Sequence, residues 1–126
     1  FMLGFDNDDP SVFAKMARFI RKSSFDSVYF SMLTPYPGTR FYQKLEEEGR
    51  LLHNDWEKYD TAHVVFRPEK MTVQQLEEGF VWLYKKTLSL DSIFLRLARA
   101  RTNPQFFLPD NLAFRACLMK MLRGGY

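Results

Sequence analysis

Two loops, at residues 4–10 and 34–39, limit what this sequence can fold into. Ser27-Val28-Tyr29-Phe30-Ser31-Met32-Leu33 is a β-rich run. It stops in a loop carrying Pro35, Pro37 and Gly38, and a helical pattern starts at Thr39. The chain opens with the same grammar: Phe1-Met2-Leu3-Gly4-Phe5 reads as a buried strand, Asp6-Asn7-Asp8-Asp9 as a loop, and Pro10 onward as a helix. Two strand–loop–helix units in tandem predict parallel strands joined by a helical crossover. Ligands of parallel α/β folds gather at the carboxyl ends of the strands, so both loops fall where chemistry is expected.

A length of 126 residues allows one ordinary domain or a piece of a larger one. Aromatic residues make up 17%, with 13 Phe, which supplies a core and argues against disorder. The start at Phe1, inside a strand-like run, reads as an excised segment of a longer protein. No apolar stretch has the length of a membrane span, and no signal peptide pattern is present. The lone cysteine, Cys117, excludes an internal disulfide and favours a reducing compartment, so a cytoplasmic location is expected. Charge is unevenly spread. Residues 1–84 carry 10 Lys+Arg against 13 Asp+Glu, whereas residues 85–126 carry 8 against 2. A basic end of this kind suits an anionic surface or an acidic neighbouring domain.

Local signals divide the rest. Asp9 and Pro10 start a helix whose apolar stripe is Val12, Phe13, Met16, Ala17, Phe19 and Ile20. Thr39 caps the next helix, with Phe41, Tyr42 and Leu45 inward, and Gly49 stops it. Ala62-His63-Val64-Val65-Phe66 is a short extended run ended by Pro68. Thr72 with Gln75 forms a capping box, and Met71 with Leu76 has staple spacing. The following helix buries Val73, Leu76, Phe80, Leu83, Tyr84 and Leu88. Asp91 is expected to cap a helix through Ile93, Phe94, Leu97 and Ala98. Pro109-Asp110 is expected to interrupt the chain before a last helix from about Asn111, ending ahead of Gly124-Gly125. The predicted organisation is an α/β part at 1–50, a connector at 51–70 with a short extended segment, and a helical extension at 71–126.

Leu3-Gly4-Phe5-Asp6-Asn7-Asp8-Asp9, Leu33-Thr34-Pro35-Tyr36-Pro37-Gly38-Thr39 and Glu48-Gly49-Arg50 together resemble the late barrel of radical S-adenosylmethionine enzymes. The similarity is to the subgroup with an N-terminal cobalamin-binding domain. Tyr59-Asp60-Thr61-Ala62-His63-Val64-Val65-Phe66-Arg67-Pro68, with the helix after Met71, resembles that subgroup's C-terminal extension. The resemblance covers residues 1–95. It implies an α/β fold: the last two parallel strand–helix units of a partial (β/α) barrel, followed by a mainly helical C-terminal extension. It further implies a parent enzyme with a four-iron four-sulfur cluster, which reductively cleaves S-adenosylmethionine to start radical methylation or rearrangement, and which takes cobalamin through its N-terminal domain. The cluster's cysteine motif is absent from this sequence, so the segment alone is expected to be inactive. Its partners would be the rest of the parent chain, namely the barrel and cobalamin-binding domain, and a small-molecule, lipid-like substrate. The rival expectation is a non-catalytic α/β-helical module that binds a partner or an anionic membrane surface through its basic helices.

The resemblance assigns cofactor contacts to Gly4, Phe5 and Asp6 after one strand and to Leu33, Thr34 and Pro35 after the other. It assigns substrate access to Tyr36, Asp60 and His63. Other readings stand beside these. Gly4 also suits a crowded interior. Asp6, Asp8 and Asp9 are adjacent rather than spaced as a calcium loop requires, so capping by Asp9 and turn bonding by Asp6 or Asn7 are expected. An offset of three in an extended segment does not of itself bring Asp60 to His63, and a His beside Val64-Val65-Phe66 is ordinarily packed and hydrogen-bonded. His53 and Cys117 have no partner at useful spacing. Arg96, Arg99 and Arg101, among Ile93, Phe94, Leu95 and Leu97, form a basic amphipathic pattern that suits a solvated face, with peripheral membrane contact as the alternative. Nucleic acid is not expected, because no recognised module's signature is present.

Overall fold

A computed structural model describes residues 1–99 and 103–123. In chain order the elements are β1 (Met2–Leu3), α1 (Ser11–Lys22), β2 (Ser31–Met32), α2 (Arg40–Glu47), a 3₁₀ turn at Trp56–Lys58, α3 (Val73–Thr87), α4 (Leu90–Arg99) and α5 (Pro104–Arg123). The strands pair in parallel, Met2 with Ser31 and Leu3 with Met32. The expectation of two full strand–helix units of a barrel is corrected here. Each strand is two residues long, and among the described residues the architecture is mainly helical. The β-rich run at 27–33 loses its ladder early because Gly4 turns away at φ +98°. Thr61 also supplies the acceptor for the Met32 N–H, at 2.7 Å.

The chain divides into two compact units, Phe1–Phe13 with Tyr29–Val81, and Ala14–Val28 with Trp82–Tyr126. In the first, the start of α1 follows from Asp9, whose carboxylate accepts the Ser11 N–H at 2.7 Å. The Thr39 hydroxyl accepts the Tyr42 N–H at 3.2 Å and so caps α2. Helix α2 ends in a Schellman turn: Gly49, at φ +64°, donates to the Glu46 carbonyl and Arg50 to that of Leu45. The chain then pairs antiparallel with the connector, with Leu52 N–H bonded to Val65 and Arg67 N–H to Arg50. This pairing closes a core of Tyr42, Leu45, Tyr59, Val65 and Phe66. The capping box ahead of α3 is reciprocal, Gln75 N–H to Thr72 Oγ1 at 3.0 Å and Thr72 N–H to Gln75 Oε1 at 2.9 Å.

In the second unit, Ile20, Val28, Leu83, Leu88, Ile93 and Leu97 are buried. The Tyr84 and Phe114 rings meet edge-on at 5.8 Å. Several expectations change here. Phe19, expected in the apolar stripe of α1, is exposed and rests against Phe25. Ser89 precedes α4 and accepts the Ile93 N–H, leaving Asp91 in the first turn. Arg96 is fully buried rather than on a solvated face. Its guanidinium donates to Asn111 Oδ1 at 3.0 Å and to the carbonyls of Phe25 and Thr87.

Pro109 lies inside α5 and does not interrupt it. The residues just after it are held from outside the helix. Ser27 donates to Asp110 at 3.1 Å, and the Asn111 amide donates to the Asp26 carbonyl at 2.8 Å. These bonds offset the missing proline N–H. Arg101 and the expected stop at Gly124-Gly125 lie outside the described residues.

Candidate functional site

The loops after β1 and β2 frame an open groove of about 450 Å³ in the first unit. Its rings are Phe5, Tyr36 and Phe41, and its polar points are Asp6, Asn7, Thr34 and Thr39, with Leu33 also in the lining. The volume lies in the range of small-molecule pockets. Phe5 and Tyr36 are 46% and 49% exposed, large apolar surfaces left open to solvent.

The loop after β1 is built by Asp8. Its carboxylate accepts the N–H groups of Gly4, at 3.1 Å, and Phe5, at 3.0 Å. The expected turn bonding by Asp6 or Asn7 is therefore done by Asp8, and Asp6 is turned to another task. One Asp6 oxygen accepts from Arg50 at 2.6 Å and the other from Lys44 at 2.9 Å. Arg50 further contacts Glu48 at 2.9 Å and Glu69 at 3.2 Å, and its Nε–H donates to the Arg67 carbonyl. The hydrogen bond from Arg50, with help from Lys44, outweighs the partial burial of Asp6 and lowers its pKa to about 2. The groove wall thus carries a carboxylate that is ionised at neutral pH, with both oxygens engaged.

In the loop after β2, Thr34 is buried and its hydroxyl donates to the Met32 carbonyl at 3.2 Å. Thr39 Oγ1 donates to the Tyr36 carbonyl at 2.7 Å, which fixes the Pro35–Gly38 turn. Pro35 is fully buried and shapes the loop from behind. Gly4 is buried and does not line the groove. Its φ of +98° disfavours any side chain, and an added Cβ would lie 3.1 Å from Leu76.

Asp60 and His63 do come together. The His63 Nδ1 lies 2.9 and 3.0 Å from the two Asp60 oxygens. The contact arises because the Asp60 carboxylate also accepts the Ala62 and His63 N–H groups, curling the chain through Thr61 at φ +65°. Partial burial pushes the Asp60 carboxyl up. The bonds from His63 and Ala62 outweigh that and hold it below its ordinary value. The pair is not among the groove's lining residues. His53 is engaged locally, its carbonyl accepting from Tyr59 at 2.9 Å. Cys117 is an exposed thiol. Among the described residues no group of three or more His, Cys, Asp or Glu side chains is arranged to hold a metal ion. No described helix is long and apolar enough to cross a membrane.

The sequence reasoning named Phe5, Asp6, Leu33, Thr34 and Tyr36 from the groove lining and missed Asn7, Thr39 and Phe41. Phe41 stands in the first turn of α2, where the period of the helix had assigned it to the interior. It is half-buried, its ring edge-on to Phe66 at 5.6 Å.

No family model matches the chain, and no solved structure does. Curated relatives do match. The chain is 33% identical over 108 residues to a bacteriochlorophyllide d C-12(1)-methyltransferase of Chlorobaculum tepidum, covering 86% of this chain and 23% of that protein. It is 28% identical over 114 residues to the bacteriochlorophyllide d C-8(2)-methyltransferase of the same organism, covering 86% and 24%. An uncharacterized methyltransferase of Pyrococcus horikoshii is 30% identical over 78 residues, covering 62% and 17%. The chain therefore spans about a quarter of the length of the first two relatives. These relatives are named as methyltransferases and none as a radical enzyme. The expectation of a radical S-adenosylmethionine enzyme with a four-iron four-sulfur cluster and cobalamin is corrected on that finding. The rival, a non-catalytic binding module, gains no support from them either. What the chain is similar to is a part of methyltransferases.

Proposed function

We propose that this chain is part of a methyltransferase, and that the groove lined by Phe5, Leu33, Thr34, Tyr36 and Phe41 takes the methyl donor, S-adenosylmethionine. The observation that carries the reading is the 33% identity over 86% of the chain to a named methyltransferase. The groove's chemistry agrees with it. Three aromatic rings around about 450 Å³ offer stacking surfaces for a purine. A cationic centre is also favoured over aromatic faces. When bound, the donor supplies an electrophilic methyl group on a sulfonium sulfur. The protein's own part is to seat that ligand and exclude water from it. Phe5 and Tyr36 provide exposed faces, Asn7 provides an amide at the rim, and Arg50 holds the Asp6 loop in place through its 2.6 Å contact. Gly4 and Pro35 act one layer behind, by shaping the two loops.

The fixed Asp60–His63 pair, outside the groove's lining, is assigned to the approach of the methyl acceptor, with Tyr36 at the edge between that approach and the donor. Two relatives are named for bacteriochlorophyllide d, and an acceptor with a similarly broad, apolar ring system is proposed here. The rest of a longer chain, of the length the relatives have, completes the enzyme in this reading. The experiment is equilibrium dialysis of S-adenosylmethionine against the intact protein and its Tyr36→Ala/Phe41→Ala variant. Loss of two stacking rings is expected to weaken binding by tenfold or more, about 1.4 kcal/mol or more. Unchanged affinity in a folded variant would remove the donor from this groove.

A further inference from the structure

The two compact units differ sharply in charge. The first carries 6 Lys+Arg against 12 Asp+Glu, and the second 12 against 3. Splitting the sequence at a single point understates this, because Lys15, Arg18, Arg21 and Lys22 on α1 belong with the basic C-terminal helices. Within the second unit lies an open groove of about 330 Å³, and its lining concentrates that charge. Arg18 and Arg21 enter it from α1, one helical turn apart, and Lys86 from the end of α3. The lining has one carboxylate, Asp91.

Asp91 offsets one of the three cations and leaves the lining with a surplus of two positive charges. Ser89, the Ser92 N–H and Arg21 hold its pKa below the ordinary value, so it keeps its negative charge, while the Ser89 hydroxyl donates to the Lys86 carbonyl at 2.8 Å. The Asp91 ion pair with Arg21 is long, at 3.8 Å, between side chains that are both more than half exposed. Trp82 adds a different element. It lines the groove at 40% exposure, with the Lys86 ammonium 5.9 Å from the centre of its ring. An indole face beside three cations is a recognition surface with two demands, a flat apolar body and a negative head.

We propose that this groove is a binding site for a planar ring compound bearing an anionic group, phosphate or carboxylate. The ring lies on Trp82 and the anionic group is held by Arg18, Arg21 and Lys86. Guanidinium groups suit both oxyanions, which they bind in a forked geometry. The surplus of positive charge on the unit steers such a ligand toward the groove. The proposal is independent of the methyl-transfer reading, which concerns the groove in the other unit.

The test is ¹⁹F NMR of the intact protein labelled with 5-fluorotryptophan, the Trp82 resonance being assigned by its loss in Trp82→Phe. The probes are adenosine 5′-monophosphate, 1-naphthoate and, as an uncharged control, adenosine. A saturable shift of the Trp82 resonance is expected with one or both anions and not with adenosine. The phosphate and carboxylate arms tell which head group the site takes. Arg18→Gln with Lys86→Gln should weaken that binding at least tenfold while leaving the ligand-free Trp82 resonance in place. Arg18→Gln alone, at an exposed position, serves if the double variant does not fold. No shift with either anion, an equal shift with adenosine, or unchanged affinity in the variants would overturn the proposal.

Discussion

Asp6 and Arg50 stand 44 residues apart in the chain and meet at 2.6 Å, joining the loop after β1 to the end of α2. Both side chains are largely withdrawn from solvent, at 22% and 13% exposure, so their attraction is less screened than at an open surface. The folded pKa of Asp6, about 2, lies below the 3.8 of the free group. Its contribution is therefore complete above pH 3.8 and is lost as pH falls toward 2. A shift of this size corresponds to about 2 kcal/mol at most. The urea midpoint of the protein should fall between pH 4 and 2, and Asp6→Asn should lower it at neutral pH while removing that part of the acid dependence. An unchanged acid profile in Asp6→Asn would show that the pair contributes nothing.

Gly79 sits in the interior of α3, where Ala is ordinarily favoured by about 1 kcal/mol. Here the sign reverses. A Cβ at this position would fall 2.2 Å from Cε2 of Phe13, a buried ring that cannot move aside without opening the core. Gly79→Ala should destabilise by about 1–3 kcal/mol, the usual range for overpacking. The double change Gly79→Ala/Phe13→Leu should recover part of the loss. Thermal melts of the three variants decide it, and a stabilised Gly79→Ala would mean that Phe13 does not pack there.

Among the described residues Arg96 is the largest fully buried side chain, and it is met by neutral acceptors from three separate segments. Burial pushes its pKa below the ordinary value. Removing it strands the Asn111 side-chain oxygen and two carbonyls, each costing about 1–3 kcal/mol if left unpaired. Arg96→Met is expected to destabilise by several kcal/mol. Arg96→Lys should fail as well, because one ammonium cannot span the Phe25, Thr87 and Asn111 acceptors that the planar fork reaches. Hydrogen exchange of residues 24–28 and 107–112 would register the loss first. Wild-type protection in Arg96→Lys would contradict this account.

Many local rules of the chain were legible in the sequence, although Ser89 rather than Asp91 precedes α4 and Asp8 rather than Asp6 or Asn7 builds the loop after β1. Thr39, Gly49 and the Thr72–Gln75 box act within four positions of themselves, and each makes its bond. What escaped reading depends on partners far away in sequence. Pro109 is a helix breaker by local rule, but Ser27 and Asp26 hold the next two residues in place. Arg96 looked like a surface charge because nothing near it in sequence reveals Asn111. The strands were overestimated because β-rich composition predicts extended chain and not how many ladder bonds form. Of the groove, the loop residues were found from their position after the strands. Phe41 was missed because helical period alone does not separate a core side chain from one at the rim.

Arg50 ends α2 through its N–H and starts the strand pairing through its carbonyl. Its side chain holds Asp6, and its Nε–H reaches Arg67. A single residue thus serves as hinge pin for three segments that meet beside the groove. Fraying of the last turn of α2 would release the Asp6 loop in the same event, so the two motions should share one rate constant. Because the pin is ionic but largely withdrawn from solvent, that rate should respond to acid, which protonates Asp6, far more than to salt.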